Sequence, residues 1–293
     1  MKTIAFLLFL HFSFTLTAQT DNKSGSKIVD TIHSIVLQED RFVWVHMPEA
    51  TVGKSSAKRY YPVVYVLDAE ANFDTILEIF NRLFKTTGNP IFSQVIVVGV
   101  GNIWERDRDY TPTHIISTPL VDNMAAKKSG GGEKFTLFLE KELIPRINSK
   151  YSASTSRALI GHSLGGLTVM NILLNHTKLF NGYAAIDPSM WWDDQKLLKQ
   201  SKTILSERKF EKVSLFLAIA NTINKDINSV SEIKKDRSEK TALIRPSITL
   251  ADQLSANKQN NLRFYWKYYR DQHHMSVYPS AASDALEFLL RTL

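Results

Sequence analysis

Arg157-Ala158-Leu159-Ile160-Gly161-His162-Ser163-Leu164-Gly165-Gly166 is the stretch from which the rest of this 293-residue chain is read. An apolar, strand-like run ends in Gly161. Ser163 follows, then two glycines, then a helix-like apolar run through Leu167, Val169, Met170, Ile172, Leu173 and Leu174. The pattern is G-x-S-x-G at a strand-to-helix turn. So sharp a turn puts the serine in a strained backbone conformation and needs small residues two before and two after it. The Ser163 hydroxyl then stands exposed above the sheet edge. The Leu164 amide, at a helix N-terminus, points at the same space as an oxyanion donor. The plainer alternative is a Gly-Ser turn that caps a helix; the strand before, the helix after and a histidine far downstream favour a nucleophile.

Outward from that turn, apolar runs mark strands buried on both faces at Pro62 to Leu67 and Val95 to Val100, and further strands are read at Tyr183 to Ile186, Val213 to Ala220 and Leu262 to Tyr269. Ile35-Val36-Leu37 and Phe42 to Val45, with Gln38 to Arg41 between them, read as an N-terminal antiparallel hairpin. Helical spacing predicts helices from Asp74 to about Phe84 and from Glu133 to Lys150, the latter with a kink or early stop at Pro145. Others are expected from Ser163 to about Phe180, over Lys196 to Glu207 and Arg245 to Asn257, and from Tyr278 to Leu293. Residues 223–240 are polar and ambiguous. The alternation implies an α/β fold: a mostly parallel central sheet with helices on both faces. Side chains for chemistry then belong in loops at the carboxyl ends of strands, where Ser163, Asp68, Asp187, Asp226 and His274 all fall. The stretch from Trp104 to Gly132 is long for a loop in a compact domain, which points to function.

The chain opens with Met1-Lys2, an apolar run from Ile4 to Phe14 and a small-residue end at Ala18. This is expected to be a signal peptide, residues 1–18, ahead of one domain over residues 19–293 and a periplasmic or secreted destination. The run is too short for a comfortable membrane span. There is no cysteine, so a secreted chain of this kind rests on its core rather than on disulfides. The formal charge is +7, but basic residues are scattered, which disfavours nucleic acid; the positive field still suits anionic substrates. No metal or cofactor is expected, because no histidine or carboxylate cluster has ligand spacing. The oligomeric state is not legible.

A serine hydroxyl needs a base. Of eight histidines, His273 and His274 sit in a loop after the last strand and before the last helix, and His274 is the expected base. His162 is expected to be structural. The acid is expected after Ala220, at Asp226, with Asp236 second, Glu232 also in range, and a serine-histidine dyad as the alternative. A second oxyanion amide is expected at Ala69. Trp191 and Trp192 are candidates to wall a substrate pocket or to pack in the core. Arg106 and Arg108 are candidates to grip an anionic substrate or to pair with Asp107 and Asp109.

Together, Tyr61 to Asp68, Gly161 to Gly166, Pro188-Ser189-Met190-Trp191-Trp192 and His274 resemble the esterase D group of α/β-hydrolases. That group includes siderophore (enterochelin-type) esterases, S-formylglutathione hydrolases, feruloyl and acetyl-xylan esterases and mycolyltransferases. The Pro-Ser-x-Trp-Trp run and Arg108-Asp109-Tyr110-Thr111-Pro112 bring it nearest to the secreted siderophore-esterase-like branch. The resemblance implies the α/β-hydrolase fold, a nucleophile at Ser163, a base at His274, and a siderophore ester or acylated carbohydrate as substrate. Two departures stand out. Ala69 and Met275 replace glycines common in relatives, which narrows the space near the chemistry. The expected activity is hydrolysis of carboxylic esters through an acyl-enzyme; the alternatives are acyl transfer to a sugar or lipid hydroxyl, or a non-catalytic binding protein.

Overall fold

A computed structural model describes residues 27–48, 59–102, 104–221 and 229–291. Eight strands form one sheet in the order β1-β2-β4-β3-β5-β6-β7-β8. In chain order they are β1 (Lys27–Ser34), β2 (Glu39–His46), β3 (Tyr61–Leu67), β4 (Ile96–Val100), β5 (Ala153–His162), β6 (Gly182–Ile186), β7 (Ser214–Ala220) and β8 (Arg263–Tyr269). The β1-β2 and β2-β4 pairings are antiparallel and the rest are parallel.

The continuous apolar runs are explained by burial on both faces. Val63, Tyr65 and Leu67 join one core, while Val64 and Val66 join the other. The first core is closed by α4 (Gly132–Phe138), α5 (Ile144–Lys150), α6 (Leu164–Asn175), α7 (Trp192–Glu207) and α9 (Arg245–Ala256). The second is closed by α1 (Ala69–Thr87) and α10 (Tyr278–Leu290). Three short helices, α2 (Arg106–Asp109), α3 (Asn123–Lys128) and α8 (Val230–Lys235), lie in connections.

Several boundaries differ from expectation. The hairpin is real, but Ile35 to Leu37 is its turn rather than its first strand. Glu142 accepts from the Ile35 and Val36 amides at 2.9 and 3.0 Å, which leaves the Ile35 side chain 81% exposed. Helix α1 starts five residues early because Asp68 takes a left-handed conformation, φ 52° and ψ 54°, that turns the chain directly from strand to helix. The helix does not stop at Pro145. A π turn over Leu139–Leu143 lies just upstream, where the regular hydrogen-bond spacing is given up, and the chain stays helical to Lys150. In α7, Asp193, Asp194 and Gln195 have positive φ, so the right-handed part does begin near Lys196. The long stretch after Trp104 holds α2 and α3.

Because β3 to β8 run parallel, residues 68, 101, 163, 187 and 221 and the loop after Tyr269 all emerge at one edge of the sheet. That edge is where the candidate side chains meet.

Candidate active site

Ser163 is the hinge between β5 and α6, with φ 61° and ψ −119°, a strained conformation for a residue with a side chain. Three bonds hold it there. Its amide donates to Ile186 O at 3.0 Å, and its carbonyl accepts from the Leu167 and Ser189 amides at 2.9 and 3.1 Å. Gly161 is needed because a Cβ there would collide with the Gly165 carbonyl. The strand, the turn and the helix thus fix one hydroxyl at the sheet edge.

His274 comes from the loop between β8 and α10. The Ser276 and Val277 amides donate to His273 O at 3.0 and 3.1 Å and close a turn around it. That turn places His274 Nε2 at 3.0 Å from Ser163 Oγ. His273, the second candidate base, supplies its backbone to the turn. His274 Nδ1 lies 2.6 Å from Asp187 Oδ2. Asp187 follows β6 directly, has φ 41° and is 7% exposed. Its amide donates to Ala218 O at 2.8 Å, and its Oδ1 accepts from the Ala220 amide at 3.0 Å. With Nδ1 donating to the Asp187 carboxylate, Nε2 faces the serine hydroxyl as an acceptor. Ser163, His274 and Asp187 form one continuous hydrogen-bonded line.

The carboxylate in that line is not among those expected after β7. Asp226 lies outside the described residues. Asp236 sits in the turn between α8 and α9, where Ser238 and Thr241 hydroxyls donate to it at 2.7 and 2.8 Å and hold its carboxyl below the usual range. Glu232 forms a capping box with Ser229 at the start of α8. The signal that pointed to Asp187 was its place immediately after an apolar strand. No local pattern shows that the loop after β8 reaches it.

Leu164 and Ala69 each begin a helix, so neither amide has an acceptor within its helix, and both lie beside the Ser163 turn. Trp192 is 3% exposed and donates Nε1 to Thr113 O at 3.2 Å, so it belongs to the core rather than to a pocket wall. Trp191 is half-buried beside it, with ring centroids 6.0 Å apart. Arg108 is turned toward protein carboxylates: Nε donates to Asp109 at 2.7 Å, and Nη1 and Nη2 donate to Glu39 at 2.9 and 2.7 Å. Arg106 pairs with neither Asp107 nor Asp109 but makes a two-pronged contact with Asp68, at 2.8 and 3.1 Å.

His162 was expected to be structural. Its ring lies against the ring of His274, centroids 4.5 Å apart, and edges onto Tyr278 at 5.9 Å. Burial, and secondarily the nearby His274 charge, push its pKa down to about 4. Among the described residues, no group of three or more histidines and carboxylates is placed to hold a metal ion.

A family model described as Putative esterase matches residues 34–286. The chain belongs to the Putative esterase family. This esterase is 30% identical over 240 residues to the ferri-bacillibactin esterase BesA of Bacillus subtilis (strain 168), covering 78% of this chain and 79% of the relative. The structure of an IroE-like serine hydrolase from Shewanella oneidensis superposes with a TM-score of 0.77 at 31% identity, covering 91% of this chain and 80% of that one. The BES protein from Bacillus cereus gives a TM-score of 0.69 at 26% identity, over 90% and 95% of the two chains. The resemblance to siderophore-esterase-like α/β-hydrolases holds, and the protein is an ester hydrolase.

Proposed function

We propose that this esterase works through an acyl-enzyme on Ser163, with His274 as proton shuttle, Asp187 as its orienting acid, and an ester-linked siderophore as substrate. The observation that carries the proposal is the hydrogen-bonded line from Ser163 Oγ through the imidazole to Asp187. As Oγ attacks the ester carbonyl carbon, its proton passes to His274 Nε2. The carbonyl oxygen becomes an oxyanion and accepts hydrogen bonds from the Leu164 and Ala69 amides. Collapse of the tetrahedral species expels the alcohol, which takes the proton from Nε2. A water then attacks the acyl group with His274 as base, and the acid leaves with Ser163 restored. Asp187 orients the ring and stabilises the imidazolium.

The siderophore assignment is supported by the names of the relatives and by the openness of the site. The His274 side chain is 35% exposed, and Trp104 and Met275, in loops at the same sheet edge, are 82% and 77% exposed. Such a site admits a bulky ester, with apolar surface at its rim. A signal peptide over residues 1–18 and a periplasmic or secreted location belong to the same proposal; those residues lie outside the described ones. Among the described residues no helix is long and apolar enough to cross a membrane.

The test pairs wild type with Ser163→Ala on a short-chain p-nitrophenyl ester, then on cyclic and linear ester siderophores with products separated by chromatography. Hydrolysis of both substrate types by wild type alone supports the reading. Turnover of the p-nitrophenyl ester with siderophores left intact sinks the substrate assignment, and equal rates for wild type and Ser163→Ala sink the mechanism.

A further inference from the structure

The Arg106 side chain reaches both segments that lead into the proposed oxyanion-hole amides. Its Nε and Nη2 donate to the two oxygens of Asp68 at 2.8 and 3.1 Å, and Nη2 also reaches His162 O at 3.3 Å. Asp68 immediately precedes Ala69, and His162 immediately precedes the nucleophile, two residues before Leu164. One planar guanidinium therefore spans the gap between the loop after β3 and the turn after β5.

The direction of the Ala69 N–H is set by the ψ of Asp68. That residue stands in the left-handed region, tolerated by aspartate but not favoured, so something must hold it. Two contacts do. The Asp68 amide donates to the Tyr110 hydroxyl at 3.0 Å, and the carboxylate is clamped by Arg106. Tyr110 is fully buried, with its carbonyl accepting from Thr168 Oγ1 of α6 at 3.1 Å, so it is anchored to the helix that opens at Leu164. The Arg106 guanidinium also packs 5.4 Å from the Tyr110 ring. Burial raises the Asp68 carboxyl, and the Arg106 charge opposes that shift. A bidentate arginine-carboxylate pair fixes orientation as well as distance, which a lysine does not.

We propose that Arg106 is a positioning residue that braces the oxyanion hole, holding the Ala69 amide in register with the Leu164 amide. This rests on the serine-esterase reading above. It assigns Arg106 a different task from gripping an anionic substrate, and the two tasks separate kinetically. A brace acts on every substrate through the transition state; a grip acts on charged substrates through binding.

The experiment compares wild type, Arg106→Gln, Arg106→Lys, Asp68→Asn and the double variant Arg106→Gln/Asp68→Asn on one neutral and one anionic p-nitrophenyl ester. Affinity for a neutral aryl trifluoromethyl ketone, whose hemiketal oxyanion occupies the hole, is measured alongside, with thermal melts to verify folding. The expected result for Arg106→Gln is a fall in kcat of about 10- to 100-fold on both esters, with KM little changed. Affinity for the ketone weakens by the same factor as kcat/KM. Asp68→Asn loses a similar amount, the double variant loses no more than the worse single one, and Arg106→Lys recovers part. Unchanged kcat on the neutral ester, with KM raised only for the anionic one, overturns the brace in favour of a substrate grip. Equal losses of kcat without any loss of ketone affinity also overturn it. Should Arg106→Gln fail to fold, Arg106→Lys and Asp68→Asn carry the same comparison. An inactive wild type would sink the esterase reading itself and the brace with it.

Discussion

Asp187 Oδ2 lies 2.6 Å from His274 Nδ1, joining the end of β6 to a loop 87 residues further on. A carboxylate there selects the tautomer whose Nε2 accepts from Ser163. Asp187→Asn keeps the size of the side chain but lets an amide N–H face the ring, which favours the wrong tautomer. The expected outcome is a fall in kcat of about 10³- to 10⁴-fold with the fold intact, checked by steady-state kinetics and a thermal melt. Asp226→Asn and Asp236→Asn, tested in the same way, should leave kcat within about twofold. A loss confined to Asp226→Asn would move the acid role back to the loop after β7.

His162 is held neutral by burial, with its pKa pushed down to about 4 from 6.5. The unfolded chain therefore binds more protons at this site than the folded one between those two values. Stability should rise with pH through the window from about 4 to about 6.5 and gain nothing from this residue above it, an effect on the order of a few kcal/mol at most. His162→Phe keeps the ring against His274 and removes the titration. Urea melts across the window should show a shallower pH slope for the variant than for wild type.

Arg41, Asp109, Arg108 and Glu39 tie β2 to α2. Arg41 Nη1 lies 2.8 Å from Asp109 Oδ2, Arg108 Nε lies 2.7 Å from Asp109 Oδ1, and Asp109 is fully buried. Asp109→Ala removes one of the carboxylates paired with the buried Arg41 and leaves Glu39, 2.9 Å away. Urea denaturation should show a loss of about 3–5 kcal/mol, since breaking a buried pair costs more than the pair contributes. A loss under about 1 kcal/mol would show that the cluster is solvated in solution.

Gly161→Ala places a methyl against the Gly165 carbonyl inside the Ser163 turn. The backbone has to shift, so both stability and the serine geometry suffer. The expected cost is about 1–3 kcal/mol in a urea melt, with a slower rate of fluorophosphonate labelling. A variant labelled at the wild-type rate would show that the turn has slack.

Much of this was legible in residue order because it is local. Gly161 and Ser163 report a turn in which a Cβ at position 161 has no room, and doubly buried strands such as Pro62 to Leu67 and Val95 to Val100 read as apolar runs. His274 was legible from its place between the last strand and the last helix. The rest depends on distances across the fold. Asp187 reaches His274, and Arg106 reaches Asp68 and His162, only because parallel strands deliver loops from distant parts of the chain to one edge. The hairpin was misplaced by a turn because Glu142, more than a hundred residues downstream, caps the Ile35 and Val36 amides. Nothing in Ile35-Val36-Leu37 itself announces a turn.

The most direct measurement is covalent labelling with a fluorophosphonate, with the modified residue mapped by mass spectrometry in wild type, Ser163→Ala and His274→Ala. The account predicts a single adduct on Ser163, none in Ser163→Ala, and greatly slowed labelling in His274→Ala. An adduct on another serine, or labelling as fast without His274 as with it, would contradict it.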